Sequence, residues 1–416
     1  MKTIIVVFAI CLMTAGGFAA DSNKKFVVHE WGTFTSVQGG DGVLLAWQPF
    51  TAVDLPAFVY NWQRPGFGRS MPLAFQFGKG GIRSLQRMET PVIYFYSDRE
   101  LSADVTVKFP GGLITEWYPQ AQEVDYKKAS LLARVMAGER SQYEAMKDSL
   151  IAWRDVHVLP MGKSGKETEL PVTNGATNHY FAARETDSAM LRVAKGGTNG
   201  DMVEFEKLLF YRGAGNFATP LKVTVSDEGD VVVQNTGDAP LAHLFLLQIN
   251  NGEGMWSQLN GIAGHEARKW QRLGESKSGK PEPAGKFQEA LSTEMESSLV
   301  SAGLYPREAA AMVKTWRQSW FAEDGVRVLY ILPRQWTDAT LPLTLNPKPD
   351  ELARVMVGRA EIIPLSTTKG IAARLQPASK GDVEAQNQLN EYAHRLGRFY
   401  GPAQQLANNL GKQSAR

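Results

Sequence analysis

The stretch that decides the fold is FVVHEWGTFTSVQGGDGVLLAW, residues 26–47. Apolar side chains recur around a turn rich in Gly and Asp, a pattern that predicts the two strands of a β-hairpin. This hairpin carries His29, Glu30, Trp31 and Asp41. Because consecutive residues of a strand point to opposite faces, we expect His29 to share a face with Trp31, and Glu30 with Phe34.

Residues 1–19, MKTIIVVFAICLMTAGGFA, combine one lysine, an apolar run and small residues. This order is typical of a secretory signal peptide, and the run is shorter than the roughly 20 residues that span a bilayer. We therefore expect export to the periplasm or the cell exterior. The single cysteine, Cys11, lies in this segment. A cysteine-free mature chain would exclude disulfides, cysteine nucleophiles and thiolate metal sites.

The charge of the chain is nearly balanced, with 45 Lys and Arg against 43 Asp and Glu. A nucleic-acid-binding protein normally shows a strongly basic surface. No later segment is apolar and long enough to span a bilayer. The sequence therefore predicts neither a nucleic-acid partner nor a membrane span.

Strand patterns follow the hairpin. Residues 91–97, 103–110 and 113–118 read as three successive strands, and the middle one alternates cleanly between apolar and polar side chains. Between residues 127 and 153 the apolar period approaches 3.6, which predicts a helix. Residues 179–193 are predicted to return to strand.

The second half of the chain reads as further strands and then helices. Residues 205–262 show short strands separated by turns, a spacing typical of an immunoglobulin-type sandwich. Helices are predicted over 287–302 and 306–321, and a last amphipathic helix carries residues 389–399. The predicted fold class is mainly β (α+β), with antiparallel β-sandwich-like blocks, a helical pair and a C-terminal helix.

The predicted organisation has five parts. They are the signal peptide (1–19), an N-terminal β-rich region with a helical insertion (20–200), a β-sandwich-like block (201–272), a linker (273–285), and a segment with the helical pair, closing strands and C-terminal helix (286–416).

Six motifs occur in order along the chain: HEWGTFTSVQGGDGVLLAW, RMETPVIYFYS, ITEWYP, LFYRGAGNF, SWFAEDGVRVLYILP and VMVGRAEIIP. With them the chain resembles a family of secreted bacterial proteins of unknown function marked by the HEWGTFT signature. The resemblance runs over most of the mature chain and is weakest over residues 127–149 and the linker. It implies that these motifs belong together, and it assigns no chemistry.

The His-Glu pair at the start of the signature invites a metal hypothesis. A zincin needs H-E-x-x-H on a helix, and this stretch has Thr33 where the second histidine would stand. A divalent metal could still be held by residues from separate strands, and the candidate ligands are His29, Glu89, Glu116 and His179. The competing interpretation makes the histidines hydrogen-bonded structural residues and pairs Glu89 with a cation such as Arg87.

Two of these carboxylates could instead perform catalysis. Glu89 and Glu116, with His29, are candidates for the acid, base or nucleophile of a glycoside hydrolase, which needs carboxyl groups about 5 to 9 Å apart. Candidate ligand-binding residues are aromatic, acidic or guanidinium side chains in the motifs, and they are Trp31, Asp41, Trp117, Arg212 and Arg359. The two arginines suit an anion or carboxylate, or else form structural bridges at strand ends.

The sequence leaves three functions open. The first is an exported binding protein for a glycan or other envelope polymer, with a groove near the first hairpin. The second is a metal- or carboxylate-dependent hydrolase of glycoside hydrolase type. The third is a structural envelope protein without a small-molecule site. The ligand and any cofactor stay unknown from sequence, apart from the divalent-metal hypothesis.

Overall fold

The computed structural model describes residues 25–50, 55–62, 64–66, 82–126, 147–160, 162, 169–172, 179–195, 202–274 and 280–414. The predicted signal peptide lies outside these residues, as does most of the helix predicted over residues 127–153. The last five residues of that prediction, 149–153, begin a strand instead.

Strands are the most abundant secondary structure of the described residues. In chain order the strands are β1 (Phe26–Gly39), β2 (Leu44–Leu45), β3 (Tyr60–Asn61), β4 (Gln86–Ser97), β5 (Leu101–Phe109), β6 (Gly112–Tyr118), β7 (Glu123–Tyr126), β8 (Ser149–Val158), β9 (Leu191–Ala194), β10 (Val203–Glu206), β11 (Leu209–Gly215), β12 (Leu221–Val225), β13 (Asp230–Asn235), β14 (Ala242–Asn250), β15 (Glu253–Leu259), β16 (Ala267–Arg272), β17 (Glu282–Pro283), β18 (Gly325–Ile331), β19 (Leu343–Asn346) and β20 (Glu351–Ile363).

Among the described residues, helices are concentrated toward the C-terminus. They are α1 (His179–Ala182), α2 (Ala284–Ser301), α3 (Pro306–Phe321), α4 (Arg334–Thr340), α5 (Leu365–Ser379), α6 (Val383–Leu396), a 3-10 turn (Gly397–Phe399) and α7 (Tyr400–Ser414). None of the helices within the described ranges is long and apolar enough to cross a membrane.

The strands assemble into three sheets. The largest has the order β17-β15-β14-β18-β20-β1-β4-β11-β6-β3, with β2 also paired to β1. A second sheet has the order β10-β9-β8-β5-β19, with β7 paired to β8, and a third has the order β12-β13-β16. The predicted mainly β class with antiparallel sheets, a helical pair and a C-terminal helix is confirmed.

The signature strand β1 lies in the middle of the large sheet, and all of its residues are buried. It pairs in parallel with β20, more than 300 residues later in the chain, and antiparallel with β4. The predicted hairpin partner β2 covers only two residues, opposite Val37 and Gln38. The hairpin therefore involves only the C-terminal end of β1, and the main pairing partners of β1 are distant in sequence.

Each face of the large sheet has its own core. One face packs on the second and third sheets, with Phe34, Val105 and Val233 in one apolar cluster. The other face packs on α2 and α3, with Trp31 and Trp316 in a second cluster. A sheet covered on both faces has buried side chains at every position, which explains why every residue of β1 is buried.

A β-bulge interrupts the pairing of β1 with β4 between Trp31 and Thr33. The residue between them is Gly32, where an added Cβ would lie 2.9 Å from the Cα of Pro91. The backbones approach too closely there for a side chain, so the glycine of the signature is required by packing. The bulge lies after His29 and Glu30 and leaves their opposite orientations unchanged.

Two sequence expectations are corrected by the topology. The strands of residues 201–272 do not form an immunoglobulin-type sandwich: β11, β14 and β15 join the large sheet, while β12, β13 and β16 form the small third sheet. The segment predicted as a strand over 179–193 begins with helix α1 and only becomes a strand at Leu191.

The last three helices form a unit at one end of the large sheet. Ile371 of α5, Leu389 of α6 and Ala403 of α7 share an apolar cluster with Val37 and Trp47, which lie at the end of β1 and just after β2. The chain between α6 and α7 turns at Gly397, whose φ of 48° lies in the left-handed region. This turn brings the helices across the strand ends.

Candidate functional site

His29 is a fully buried residue whose partners lie on α3. Its Nδ1 lies 2.7 Å from Glu308 Oε2, and the Tyr96 hydroxyl donates to Glu308 Oε1 at 2.7 Å. The Tyr305 ring packs on the imidazole with ring centroids 4.4 Å apart. His29 therefore joins the sheet to the helical pair.

Glu30 lies on the opposite face, as alternation predicts. It accepts hydrogen bonds from the Tyr211 hydroxyl and from Arg354 Nε, both at 2.6 Å. Both oxygens of this buried carboxylate are thus satisfied, and the His-Glu pair of the signature shares no site.

The carboxylates Glu89 and Glu116 are each paired with an arginine. Glu116 accepts from Arg212 Nε at 2.9 Å, and Glu89 accepts from Arg398 at 3.2 Å. The two glutamates lie on β4 and β6, with β11 between them. Because each is buried beside its own guanidinium, the structure does not support them as the acid and base of one glycoside hydrolase site.

The predicted metal ligands do not converge. His29 is bound to Glu308, Glu89 and Glu116 are bound to arginines, and His179 lies in α1, where its ring packs 5.5 Å from that of Trp316. Within the described ranges no group of three or more His, Cys, Asp or Glu residues could hold a metal ion. The predicted quartet therefore does not form one metal site in the part of the chain that the structure describes, because each member is held by a different partner.

Four of the predicted ligand-binding residues are buried, and the fifth, Asp41, lies in an exposed turn. Trp31 and Trp117 are fully buried in opposite cores, where no ligand can reach them. Asp41 accepts the backbone N–H of Val43 at 3.0 Å and so stabilises the turn after β1. Arg212 donates a hydrogen bond to Glu116, and Arg359 pairs with Glu323 and Glu361.

Arg327 and Arg359 bind the C-terminal end of α3. Arg327 donates to the carbonyls of Trp320 and Asp324 at 3.0 and 2.9 Å, and Arg359 donates to the carbonyl of Ser319 at 2.9 Å. The last carbonyls of a helix lack partners within the helix, and cations are favourable there. Two arginines on strands thus donate hydrogen bonds to carbonyl oxygens at the end of this helix.

Carboxylates and a third arginine extend this network to the C-terminal helices. Arg359 pairs with Glu323 at 2.7 Å and with Glu361 at 2.9 Å. Arg398, in the turn after α6, contacts Glu89 at 3.2 Å and Glu323 at 3.7 Å. The network therefore links the sheet, α3 and the C-terminal helical unit.

The pKa values of the carboxylates reflect this positive environment. Burial alone would raise the pKa of Glu323, but the guanidiniums of Arg359, Arg398 and Arg327 outweigh it and lower the pKa to about 2. Burial likewise opposes the ionisation of Glu89, yet Arg87, Arg398 and Arg359 lower its pKa. Both groups are held in the ionised form at neutral pH.

A groove runs along the outside of this network, between the C-terminal helical unit and the sheet. It consists of three adjoining clefts, which we call the edge, middle and amide clefts, of about 360, 550 and 900 Å³. The edge and middle clefts share Asp324, Arg395 and Leu396, and the middle and amide clefts share Gly397 and Arg398.

The walls of the groove combine apolar surface with many hydrogen-bonding side chains. The amide cleft is lined by side-chain amides, aromatic rings and arginines, namely Trp47, Gln48, Arg83, Arg398, Tyr400, Gln404, Gln405, Asn408 and Asn409. The edge cleft adds hydroxyls and carboxylates, among them Glu253, Asp324, Ser366, Thr367 and Tyr392. Such walls suit a ligand that offers many hydrogen-bond donors and acceptors.

Of this region, the sequence pointed to Arg359 and Glu89 as candidate site residues and to Arg87 as a partner of Glu89. The groove residues come from the segment after β2, β14, β15, the segment after α3, and helices α5, α6 and α7, where single polar residues resemble an ordinary solvated surface. The sequence contained one signal for this network. The motifs RMET, SWFAEDG and VGRAE each carry acidic or basic residues next to strand or helix patterns, and these charged side chains meet in the network.

Comparisons with known proteins add a fold likeness of low score. No protein-family model matches the chain, and the curated proteins contain no match. Among solved structures, the chain is similar to the yeast delta-COP-I mu-homology domain, with 8% identity, 82% of this chain and 98% of that chain covered, and a TM-score of 0.28. The same domain complexed with the Dsl1 WxWxV peptide gives 9% identity, 82% and 96% coverage, and a TM-score of 0.25.

The lowered pKa values predict a specific acid lability. A carboxylate whose folded pKa is below its unfolded value contributes stability above the unfolded pKa and loses it as the pH falls through the folded pKa. For Glu323 this window runs from its ordinary value of 4.5 down to about 2. Urea unfolding across that window should show less loss of stability in Glu323→Gln than in the unmodified protein, while Glu289→Gln, at an exposed helix position, should behave like the unmodified protein. Equal acid sensitivity of all three proteins would contradict the assignment.

Proposed function

We propose that this is an exported protein that binds an extended polymer, a glycan or another envelope polymer, in the groove between the C-terminal helical unit and the large sheet. The observation that carries the proposal is that the edge, middle and amide clefts share lining residues in succession, from Arg395 to Arg398. A single cleft of several hundred Å³ suits a small molecule. Three in a row suit a chain of several units.

The chemistry of the amide cleft favours a polyhydroxylated ligand. A side-chain amide both donates and accepts hydrogen bonds, as a sugar hydroxyl does. Gln404, Asn408 and Asn409 line this cleft on α7, and Tyr400 offers a half-exposed ring on which a sugar could stack. The cleft adjoins Trp47 and Gln48, just after the first hairpin.

The alternative of a hydrolase built on Glu89 and Glu116 has less support, because arginines neutralise both carboxylates. A purely structural envelope protein would need no groove with this lining. Polymer binding accounts for both the row of clefts and the many hydrogen-bonding side chains that line them.

The test is binding of purified polysaccharides and peptidoglycan fragments, measured by affinity electrophoresis and calorimetry. We expect at least one polymer to bind, with an affinity that rises with oligomer length until the groove is filled. Replacing Gln404 and Asn408 together with Ala should weaken binding about tenfold, since two hydrogen-bonding groups contributing about 0.5–1.5 kcal/mol each are lost.

The matched control is Gln386→Ala with Asn390→Ala. These are exposed amides on α6 that bond to each other at 3.1 Å and lie outside the three clefts. The control should bind like the unmodified protein. Absence of binding to every polymer, or equal weakening in the control, would overturn the proposal.

A further inference from the structure

We infer that the middle cleft is a subsite for an anionic group, so that the polymer bound in the groove is acidic. This inference rests on the proposed polymer-binding function. Its evidence is the set of charged side chains around the middle cleft. Some of them already have partners within the protein, and others do not.

The acidic residues of the middle cleft have partners within the protein. Glu323 is bound by Arg359 at 2.7 Å and lies 3.7 Å from Arg398. Asp324 accepts the backbone N–H of Asn251 at 2.9 Å. These carboxylates therefore leave few acceptor positions for a basic ligand.

The basic residues of the cleft are placed differently. His394 and Arg395 occupy the last turn of α6 and are exposed. Neither side chain makes a hydrogen bond or an ion pair with any part of the chain that the structure describes. Arg395 also lies where the edge and middle clefts meet, so a ligand that follows the groove must pass its guanidinium.

The layer beneath the cleft adds to the positive potential. In the buried network four guanidiniums face three carboxylates; they belong to Arg87, Arg327, Arg359 and Arg398, and to Glu89, Glu323 and Glu361. The lowered pKa of Glu323, which lines the cleft, reflects the same excess of positive charge. Asp324 reduces this potential, and Arg395 restores it.

The ligand chemistry follows from the guanidinium. Its N–H groups form a planar fork that matches the two oxygens of a carboxylate, phosphate or sulfate group. A uronic-acid polysaccharide and a phosphate-bearing polymer both present such groups at regular spacing. The shared requirement is a repeating anion on a polar chain, long enough to reach the amide cleft.

The experiment compares three probes on the full chain: polygalacturonate, a phosphorylated dextran and neutral dextran. We expect an acidic probe to bind more tightly than neutral dextran and its affinity to fall as salt is raised, because exposed charges are screened. Arg395→Met should weaken the acidic probe about tenfold and reduce its salt dependence, and it should weaken neutral dextran less than the acidic probe. The matched control Arg317→Met removes an exposed arginine from α3, away from the groove.

The outcomes separate this inference from the proposal on which it rests. If no probe or other polysaccharide binds, both fail. If neutral and acidic polymers bind equally and Arg395→Met changes neither, the anionic subsite is refuted while polymer binding stands. Preference for polygalacturonate or for phosphorylated dextran identifies the anion. If Arg317→Met weakens binding of the acidic probe as much as Arg395→Met does, the assignment to the middle cleft is overturned.

Discussion

Replacing Arg354 with Met is expected to destabilise the protein by about 3–5 kcal/mol, the typical cost of removing one partner of a buried ion pair. Arg354 Nε donates to Glu30 at 2.6 Å, and the two residues are direct partners on β20 and β1. Neither side chain is exposed by more than 1%. Without the guanidinium, Glu30 would remain buried with only the Tyr211 hydroxyl as a donor.

The double variant Glu30→Gln with Arg354→Met tests the cause. The amide keeps an acceptor for the Tyr211 hydroxyl and removes the uncompensated charge, so a substantial part of the lost stability should return. Arg307→Met is the matched control, because Arg307 pairs with Asp187 at the surface, where such pairs contribute about 0–1 kcal/mol. Equilibrium urea unfolding measures all three. A small effect of Arg354→Met, similar to the control, would refute the role given to this pair.

The second large effect is expected for Glu308→Ala, at about 3–5 kcal/mol. This carboxylate is fully buried and accepts from His29 Nδ1, from the Tyr96 hydroxyl and from the backbone N–H of Tyr305, at 2.7, 2.7 and 2.8 Å. The substitution would leave these donors buried without an acceptor and would remove a contact that stabilises the start of α3.

Two further variants make this prediction specific. Glu308→Gln retains a carbonyl oxygen for some of the donors and should cost less than Glu308→Ala. Glu289→Ala changes an exposed residue of α2 and should alter the stability by less than about 0.5 kcal/mol. Unfolding free energies that fail to follow this order would show that Glu308 does not join β1 to the helical pair.

These two predictions depend on a feature that the sequence does indicate. Alternation in β1 places His29 and Glu30 on opposite faces, and the structure confirms it: His29 meets Glu308 on α3, while Glu30 meets Tyr211 and Arg354. A period of two depends only on local backbone geometry, so a single strand suffices to predict it. The helical pair was predicted well for the same reason, since its apolar period and its Gly and Pro boundaries are local.

The candidate site could not be predicted in this way. The hypothesis of a metal or catalytic centre at Glu89 and Glu116 came from charged residues in apolar strands, which do require partners. Glu89 lies 3.9 Å from Arg87, the cation that the competing interpretation named, and its hydrogen-bond partner is Arg398, 309 positions later in the chain. Nothing in the local pattern around either residue indicates that contact, because an arginine on a turn between helices looks like any solvated surface residue.

By itself, the sequence determined the mainly β class, the helical pair, the faces of β1 and the need for charge partners inside the sheet. The tertiary structure alone decided that β1 pairs with β20, that the charged motifs neutralise one another at the end of α3, and that a groove with many hydrogen-bonding side chains follows the C-terminal helices. The physical reason is the range of each interaction. Periodicity and turn chemistry act over a few residues, whereas strand pairing and the pairing of buried charges depend on which distant segments the packed core brings together.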